Sequence, residues 1–454
     1  MASRCFLGFS ILVHILMLLS LFSEPFELKH GQHLDGTVSH PVEQSDYRGF
    51  LDAWFHDTDR VPRGLDFFSI YQAGRNFLRG QSVYYGVRVH RLGNDALVVP
   101  YFSGFRYLPV YACTYGVALN LLPPWPAYWT WIIMIEILLL LNLWIIRKLP
   151  VSLSCRQILT GMWLAYTPTY IELHIGQQSF VTVTLLHCAL LSAITGKLKR
   201  RDLCYSASVI WKLNTILFIP IWVKFKRFGT IALLFLAVIL LSAPYFLWVP
   251  GSFPEFTSYF HHKFIATGPN SLGFWSLAAV ILNRCGVAQE SIRNSLQYWT
   301  MGLWTLASLA TLVPRRIPFT RALAMWICVY FLTYQYVWEH HYVMMLPVFS
   351  AGMIHPRLRR LCVAVWLLCA LPTPYILWNV PSQAMPQLQW TFSQEILYHS
   401  TKLIPVLILF LALVFQLFRK PARDSSPQES AEPESQLDVI ALLSSRLRKD
   451  RRAV

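Results

Sequence analysis

Apolar runs of membrane-spanning length recur along most of the chain, at residues 6–22, 125–146, 180–194, 231–248, 322–337, 361–378 and 403–418. A helix needs about 20 residues to cross roughly 30 Å of hydrocarbon, fewer where flanking side chains snorkel to the interface. Counting shorter runs, the pattern predicts about 11–13 membrane segments. Lipid offers backbone groups no hydrogen-bonding partner, so each run must satisfy its own N–H and C=O groups. The expectation is an all-α polytopic membrane bundle. The first run has one basic residue, Arg4, before it, and the following SLFSEPFELK lacks a small-x-small cleavage site. It is read as a retained first helix rather than a removed signal.

Residues 65–80, LDFFSIYQAGRNFLRG, follow a different rule. Phe67, Ile70, Tyr71, Gly74, Phe77 and Leu78 recur at helical spacing, with Ser69, Gln72, Arg75, Asn76 and Arg79 on the other face. Such a stripe predicts an amphipathic helix, and arginines on its polar face suit the membrane interface. Gly80-Gln81 is the expected end. The helix belongs to residues 23–105, the first long extracytoplasmic loop.

Composition sharpens this picture. The chain is 55% hydrophobic and only 14% charged, which excludes a soluble domain of 454 residues. Its net charge of +16 does not point to nucleic acid, because the basic residues cluster between apolar runs: 197–202, 224–228, 314–321 and 356–360. By the positive-inside bias these mark cytoplasmic loops and put both termini inside. Residues 1–418 then form one membrane domain. Residues 419–454, rich in Ser, Pro, Glu and Arg, read as a disordered cytoplasmic tail. Residues 203–223 carry basic clusters at both ends and Pro220 within, which predicts two half-helices in a hairpin. If Arg147–Lys148 and Lys197–Arg201 share a side, either 109–122 or 157–173 cannot cross fully. The nine cysteines are scattered without CxxC spacing, so neither a disulfide framework nor a zinc site is expected.

In so apolar a chain the informative residues are polar ones near the expected outer boundary. Asp66 heads the amphipathic stretch, where it would serve as an N-cap, a general base, or both. Gly176-Gln177-Gln178-Ser179 separates two apolar runs, with Glu172 and His174 just before it. A plain turn is the simple reading. Lys212 sits within ASVIWKLNTILFIP, where a lysine costs about 2.5–3.5 kcal/mol on insertion scales. It calls for a structural acid, with Glu136 one candidate, or for an anionic ligand such as a phosphate. Asn270-Ser271 follows a basic-aromatic stretch, and Glu339-His340-His341 lies between two runs. Adjacent helical residues point about 100° apart, and HExxH is absent, so no metal site is expected. Hydrogen bonding within an aromatic belt is the plain alternative for the His pair.

This set, in this order, resembles glycosyltransferase family 87, a family of polytopic GT-C enzymes. The matching elements are Gly64-Leu65-Asp66-Phe67 to Tyr71, Arg106-Tyr107-Leu108-Pro109, Pro123-Pro124, Gly176-Gln177, Lys212 with Pro220, Asn270-Ser271-Leu272 and Trp338-Glu339-His340-His341. They run from about residue 60 to 350. Where the family often has Gly-Gln-x-Asn this chain has Ser179, and Leu213-Asn214 follows Lys212. The resemblance implies a GT-C-type bundle and an inverting, metal-free transfer of a sugar from a polyprenyl phosphate to a hydroxyl acceptor. It implies no cofactor beyond that donor. Asp66 would be the base. Tyr71, Arg106, Gln177, Lys212, Asn270, Ser271, Glu339, His340 and His341 would bind substrate, some of them steadying the lipid phosphate as charge develops on it. The expected partners are membrane lipid, a polyprenyl-phosphate sugar, mannose first, and a glycan or glycolipid acceptor.

Two other classes fit the bulk pattern. A transporter or flippase of lipid-linked glycans would show polar groups toward both faces and often repeated halves; no internal repeat is visible, and the polar set favours one side. A purely structural subunit would not need expensive polar residues in the membrane. The absence of an N-x-S/T acceptor or retention signal favours a bacterial inner membrane, with the site facing the periplasm.

Overall fold

The computed structural model describes residues 1–23, 64–84, 104–258, 271–314, 317–371 and 391–418. Among these residues the fold is helical, with no strand. In chain order the elements are α1 (Ala2–Ser23), α2 (Leu65–Leu78), α3 (Pro109–Tyr111), a π turn (Ala112–Gly116), α4 (Val117–Leu119), α5 (Pro124–Lys148), α6 (Leu153–Leu164), α7 (Thr167–Ile175), α8 (Ser179–Ile194) and α9 (Leu198–Trp211). Then follow a 3-10 segment (Leu213–Phe218), α10 (Ile219–Lys224), α11 (Phe228–Trp248), α12 (Ser252–Ser258), α13 (Phe274–Arg284), α14 (Gln289–Leu312), α15 (Phe319–Thr333), a 3-10 segment (Glu339–Met344), α16 (Met345–Ile354), α17 (Arg359–Ala370) and α18 (Phe392–Phe418).

Among the described residues four helices, α1, α5, α11 and α18, are long and apolar enough to cross a bilayer alone. With the shorter apolar helices around them, they make this an all-α membrane protein. The helices divide by what covers them. On α11 only Leu234, Ser242 and Tyr245 are buried, while Leu233, Leu236, Leu240 and Leu247 face outward. An apolar helix exposed in this way is solvated by lipid. On α15 every residue except Arg321 is buried, and α16 is almost as enclosed. A helix apolar all round is a core helix, and these two form the centre of the bundle.

The partial crossings are settled by length. The elements from α3 to α4 cover Pro109–Leu119, which at about 1.5 Å per residue is half a bilayer. Residues 109–122 are therefore the short segment, while α6 and α7 continue one another across a break at Ala165–Tyr166, ahead of Pro168. The expected hairpin is present, but it turns at Lys212, not near Pro220. The backbone at Lys212 is extended, and Tyr205 on α9 stacks on Trp222 of α10. Its two ends are pinned by Asp202, which accepts from Arg201 Nε (3.0 Å), Trp222 Nε1 (3.3 Å), Arg227 Nε (2.5 Å) and Thr230 Oγ1 (3.3 Å). Arg201 lies between the rings of Phe225 and Phe319. Lys224 donates to the carbonyls of Leu312 and Pro314, the C-terminal end of α14 where a cation is favoured.

Close backbone packing fixes α2. Gly74 touches Gly116 in the π turn: a Cβ on Gly74 would sit 2.1 Å from the Gly116 carbonyl carbon. π turns of this kind occur mostly as single-turn insertions near functional sites. Helix α2 ends at Leu78, Arg79 caps it, and Gly80 takes a positive φ of 68°, as the Gly80-Gln81 signal predicted. The long apolar run near the start also finds a partner inside the bundle. His14 on α1 meets Glu136 Oε2 (3.1 Å) and the Leu164 carbonyl (3.2 Å). Glu136, one candidate partner for Lys212, is instead the partner of His14. Residues 24–63, Asn270 and the tail 419–454 lie outside the described residues.

Candidate functional site

The site begins with two left-handed glycines. Gly64 (φ 73°) precedes α2, and its N–H donates to the His174 carbonyl at 2.8 Å. Gly176 (φ 66°) ends α7. A Cβ on Gly176 would lie 2.4 Å from Phe67 Cβ. Glycine adopts such a φ without penalty, and here its missing side chain also makes room for the first turn of α2. The Tyr128 hydroxyl reaches the carbonyls of Leu173 and His174 at 3.0 Å each, which holds the end of α7. The Glu172 carboxylate accepts from the Phe180 N–H at 2.6 Å and so caps the start of α8 across the turn.

Within this frame Gln177 faces Asp66. Its Oε1 accepts from the Gln178 N–H (2.7 Å) and the Tyr107 hydroxyl (2.8 Å). The backbone N–H can only donate, so the amide has one orientation and Nε2 points the other way. Nε2 donates to Asp66 Oδ2 at 2.8 Å and lies 3.4 Å from His340 Nε2. Burial, with the charges of Asp66 and Glu172 nearby, pushes the Tyr107 phenol well above its ordinary range. Tyr107 therefore remains a donor.

Asp66 is not the N-cap. Gly64 holds that position and makes no side-chain bond; Asp66 is the second residue of the helix. A carboxylate there faces the positive end of α2, but its hydrogen bond goes to a different part of the chain. That leaves the capping role to backbone geometry and the carboxylate to the site.

Lys212, at the tip of the α9–α10 hairpin, donates to Ser179 Oγ at 2.6 Å. Its charge is felt by Glu172, and it in turn feels Glu172 and Asp66. The hairpin thus delivers one cation into a cluster holding two carboxylates and two buried imidazoles. His341 is oriented from its Nδ1, which lies 3.2 Å from both the Trp338 N–H and the Tyr330 hydroxyl. That bond makes His341 Nδ1 an acceptor and places the ring proton, when the imidazole is neutral, on Nε2. The ring stands against Tyr330, Tyr334 and His340.

The remaining expected residues lie in different places. Arg106 adjoins Tyr107, and its charge reaches Tyr334, so it borders the cluster. Tyr71 is buried on the far side of α2, its hydroxyl donating to the Leu122 carbonyl at 3.0 Å; it is packed with Phe67 and Phe68 rather than turned toward Gln177. Ser271 is structural in its contacts: Oγ accepts from the Val337 N–H at 3.2 Å, while Leu272 N–H donates to the Val337 carbonyl at 2.6 Å. Glu339 pairs with Lys402 of α18. Asn270 lies outside the described residues. Tyr107, Glu172 and Ser179 were not in the expected set. Tyr107 lies within the Arg106–Pro109 element and Glu172 four residues before Gly176, but nothing in a one-dimensional pattern says that Tyr107 orients Gln177.

The arrangement can hold an anionic group against Lys212 and the two imidazoles while presenting the Asp66 carboxylate beside it. The model of glycosyltransferase family 87 matches residues 105–337, slightly more than half of the chain. That stretch carries Tyr107, Gln177 and Lys212; Asp66 and the His pair fall on either side of it. No curated protein matches the chain.

Proposed function

The chain belongs to glycosyltransferase family 87 and is a membrane-embedded glycosyltransferase; from that premise we propose that it takes a sugar, mannose in the first instance, from a polyprenyl phosphate and inverts the anomeric centre. The acceptor is a hydroxyl of a glycan or glycolipid. Its oxygen forms the new bond to the anomeric carbon as its proton passes to Asp66. The bond from that carbon to the phosphate oxygen breaks, and its electron pair leaves with the lipid phosphate. Lys212, His340 and His341 lie where that added charge would be steadied, with Arg106 at the border. A positioned base contributes about 10²–10⁴-fold, and fixed donors to the developing charge add a comparable factor.

One observation carries this reading: Gln177 gives its donor end to Asp66 and His340 together, so a carboxylate and an imidazole share one oriented amide. Family membership favours transfer over flipping as the activity. For the location we propose a bacterial inner membrane with the site toward the periplasm. In support, Arg147–Lys148, the α8–α9 link and the α10–α11 link gather at helix ends opposite the Asp66–Gln177 contact.

The test uses purified protein with a set of polyprenyl-phosphate sugars and scores which are consumed, alongside Asp66→Asn. We expect mannose to be transferred by the wild type and not measurably by Asp66→Asn, with both forms equally inserted and monodisperse. Transfer by Asp66→Asn at the wild-type rate removes Asp66 from the mechanism; consumption of another sugar alone replaces mannose.

A further inference from the structure

Helix α18 carries two buried basic side chains, His399 and Lys402, that no catalytic step requires. Lys402 is fully buried, about three turns into the helix, and pairs with Glu339. It also donates to the Cys369 carbonyl at the end of α17 (2.9 Å) and lies over the Tyr342 ring at 5.7 Å. His399, one turn before Lys402, meets the Ser271 carbonyl at 2.5 Å from Nδ1. A carbonyl only accepts, so Nδ1 carries the proton.

These contacts land on one strip of chain. Ser271 and Leu272 are bonded to Val337, and the Tyr342 hydroxyl donates to the Leu272 carbonyl at 2.9 Å. Residues 337–342 hold His340 and His341 between them, and Glu339 is the immediate neighbour of His340. The Glu339–His341 stretch is a 3-10 segment, a geometry that is poor in hydrogen bonding and used in short pieces. It does not stiffen itself. Its rigidity comes from what grips it, and α18 grips it through the Lys402–Glu339 pair.

We propose that α18 is a clamp on the imidazole segment, with Lys402 and His399 as positioning residues that hold His340 and His341 at the Asp66 site. Lys402 fixes the segment through Glu339, and His399 fixes the 271–272 backbone on which Val337 and Tyr342 rest. Neither side chain touches the reacting atoms. The choice of an ion pair for this task has a physical consequence. Removing one partner of a buried pair leaves an uncompensated charge, whereas removing both is often close to neutral. The clamp therefore makes the segment's geometry depend on both partners together. This inference rests on the transferase reading only for its effect on turnover; its effect on the imidazoles is independent of any substrate.

The experiment has two readouts on full-length protein, with Lys402→Met, the double variant Glu339→Gln/Lys402→Met, and the uncharged His399→Phe. The first is carbethoxylation by diethyl pyrocarbonate, followed peptide by peptide by mass spectrometry with His14 as internal reference. His340 and His341 should react at least fivefold faster in Lys402→Met, in His399→Phe and in the double variant, which removes both ends of the tether while leaving no uncompensated charge. Unchanged reactivity in both single variants overturns the clamp. The second readout is transfer from a polyprenyl-phosphate sugar. In His399→Phe and in the double variant, kcat should fall about tenfold while the donor KM moves less than threefold. Wild-type kcat in His399→Phe overturns the positioning role. Should Lys402→Met fail to fold, His399→Phe and the double variant decide the matter by the same criteria. Absence of transfer by the wild type with every donor overturns the transferase reading instead, and the carbethoxylation rates still decide the clamp.

Discussion

Replacing Gln177 by methionine tests the central contact with the least change in shape. The side chain keeps its length but loses both the donor that holds Asp66 Oδ2 at 2.8 Å and the acceptor that takes the Tyr107 hydroxyl and the Gln178 N–H. A hydrogen bond to a charged group contributes about 1.5–3 kcal/mol net, and 1.4 kcal/mol is a factor of ten. If that bond serves to aim the carboxylate, kcat/KM falls roughly 10- to 150-fold. Each buried donor left without an acceptor adds about 1–3 kcal/mol of destabilisation, which appears in the melting temperature rather than in turnover.

The pH dependence gives a second sign to check. A hydrogen bond donated to a carboxylate favours its charged form. Without it, the base is lost to protonation at higher pH, so the acid limb of the pH–rate profile shifts upward in Gln177→Met. Tyr107→Phe is the milder control. It removes one neutral bond to Gln177 while the Gln178 N–H still orients the amide, so a loss of about 2- to 12-fold is expected, with no comparable shift of the profile. The assay is initial-rate transfer of labelled sugar from its polyprenyl phosphate across the accessible pH range, on protein shown to be monodisperse. Gln177→Met with kcat/KM within twofold of wild type and an unmoved acid limb would refute the assignment of the amide as the holder of the base.

Three further outcomes follow from close packing and buried charge. Gly176→Ala imposes a left-handed backbone on alanine, about 1–2 kcal/mol, and a contact of 2.4 Å with Phe67 Cβ; thermal unfolding should come several degrees earlier, with transfer lost in step, and an unchanged melting temperature contradicts the packing. Gly74→Ala drives α2 off the Gly116 backbone, which no side-chain motion can relieve, and should abolish stable expression or transfer, whereas Gly302→Ala, with nothing within 4 Å of its new methyl, should be silent on both. Lys212→Met leaves Glu172 without its nearby cation and should lower the melting temperature; adding Glu172→Gln should restore folding but not transfer, and restored transfer would make Lys212 purely structural.

The limits of sequence reading here follow from the kind of contact involved. Apolar periodicity is a local property, so α2, the long crossings and the hairpin at 198–224 could be anticipated from composition along the chain. Even there the hairpin turns at Lys212 because the backbone is extended at that residue, and Pro220 is accommodated at the start of α10, where its missing N–H is harmless. Polar residues in an apolar context are also visible as anomalies. Their partners are not, because a buried charge is neutralised by whatever the fold brings near it. Glu136 was available by depth for Lys212, yet His14, 122 positions away, takes it. Lys402 stands at the head of the apolar run 403–418, where a lysine can snorkel; it is instead enclosed and bound to Glu339 across 63 positions. The same residue type at a helix end is lipid-facing ballast or a structural pin according to one long-range contact. That is why Glu339, placed beside two site histidines in the chain, is bound to Lys402 of α18 rather than joining them at the substrate.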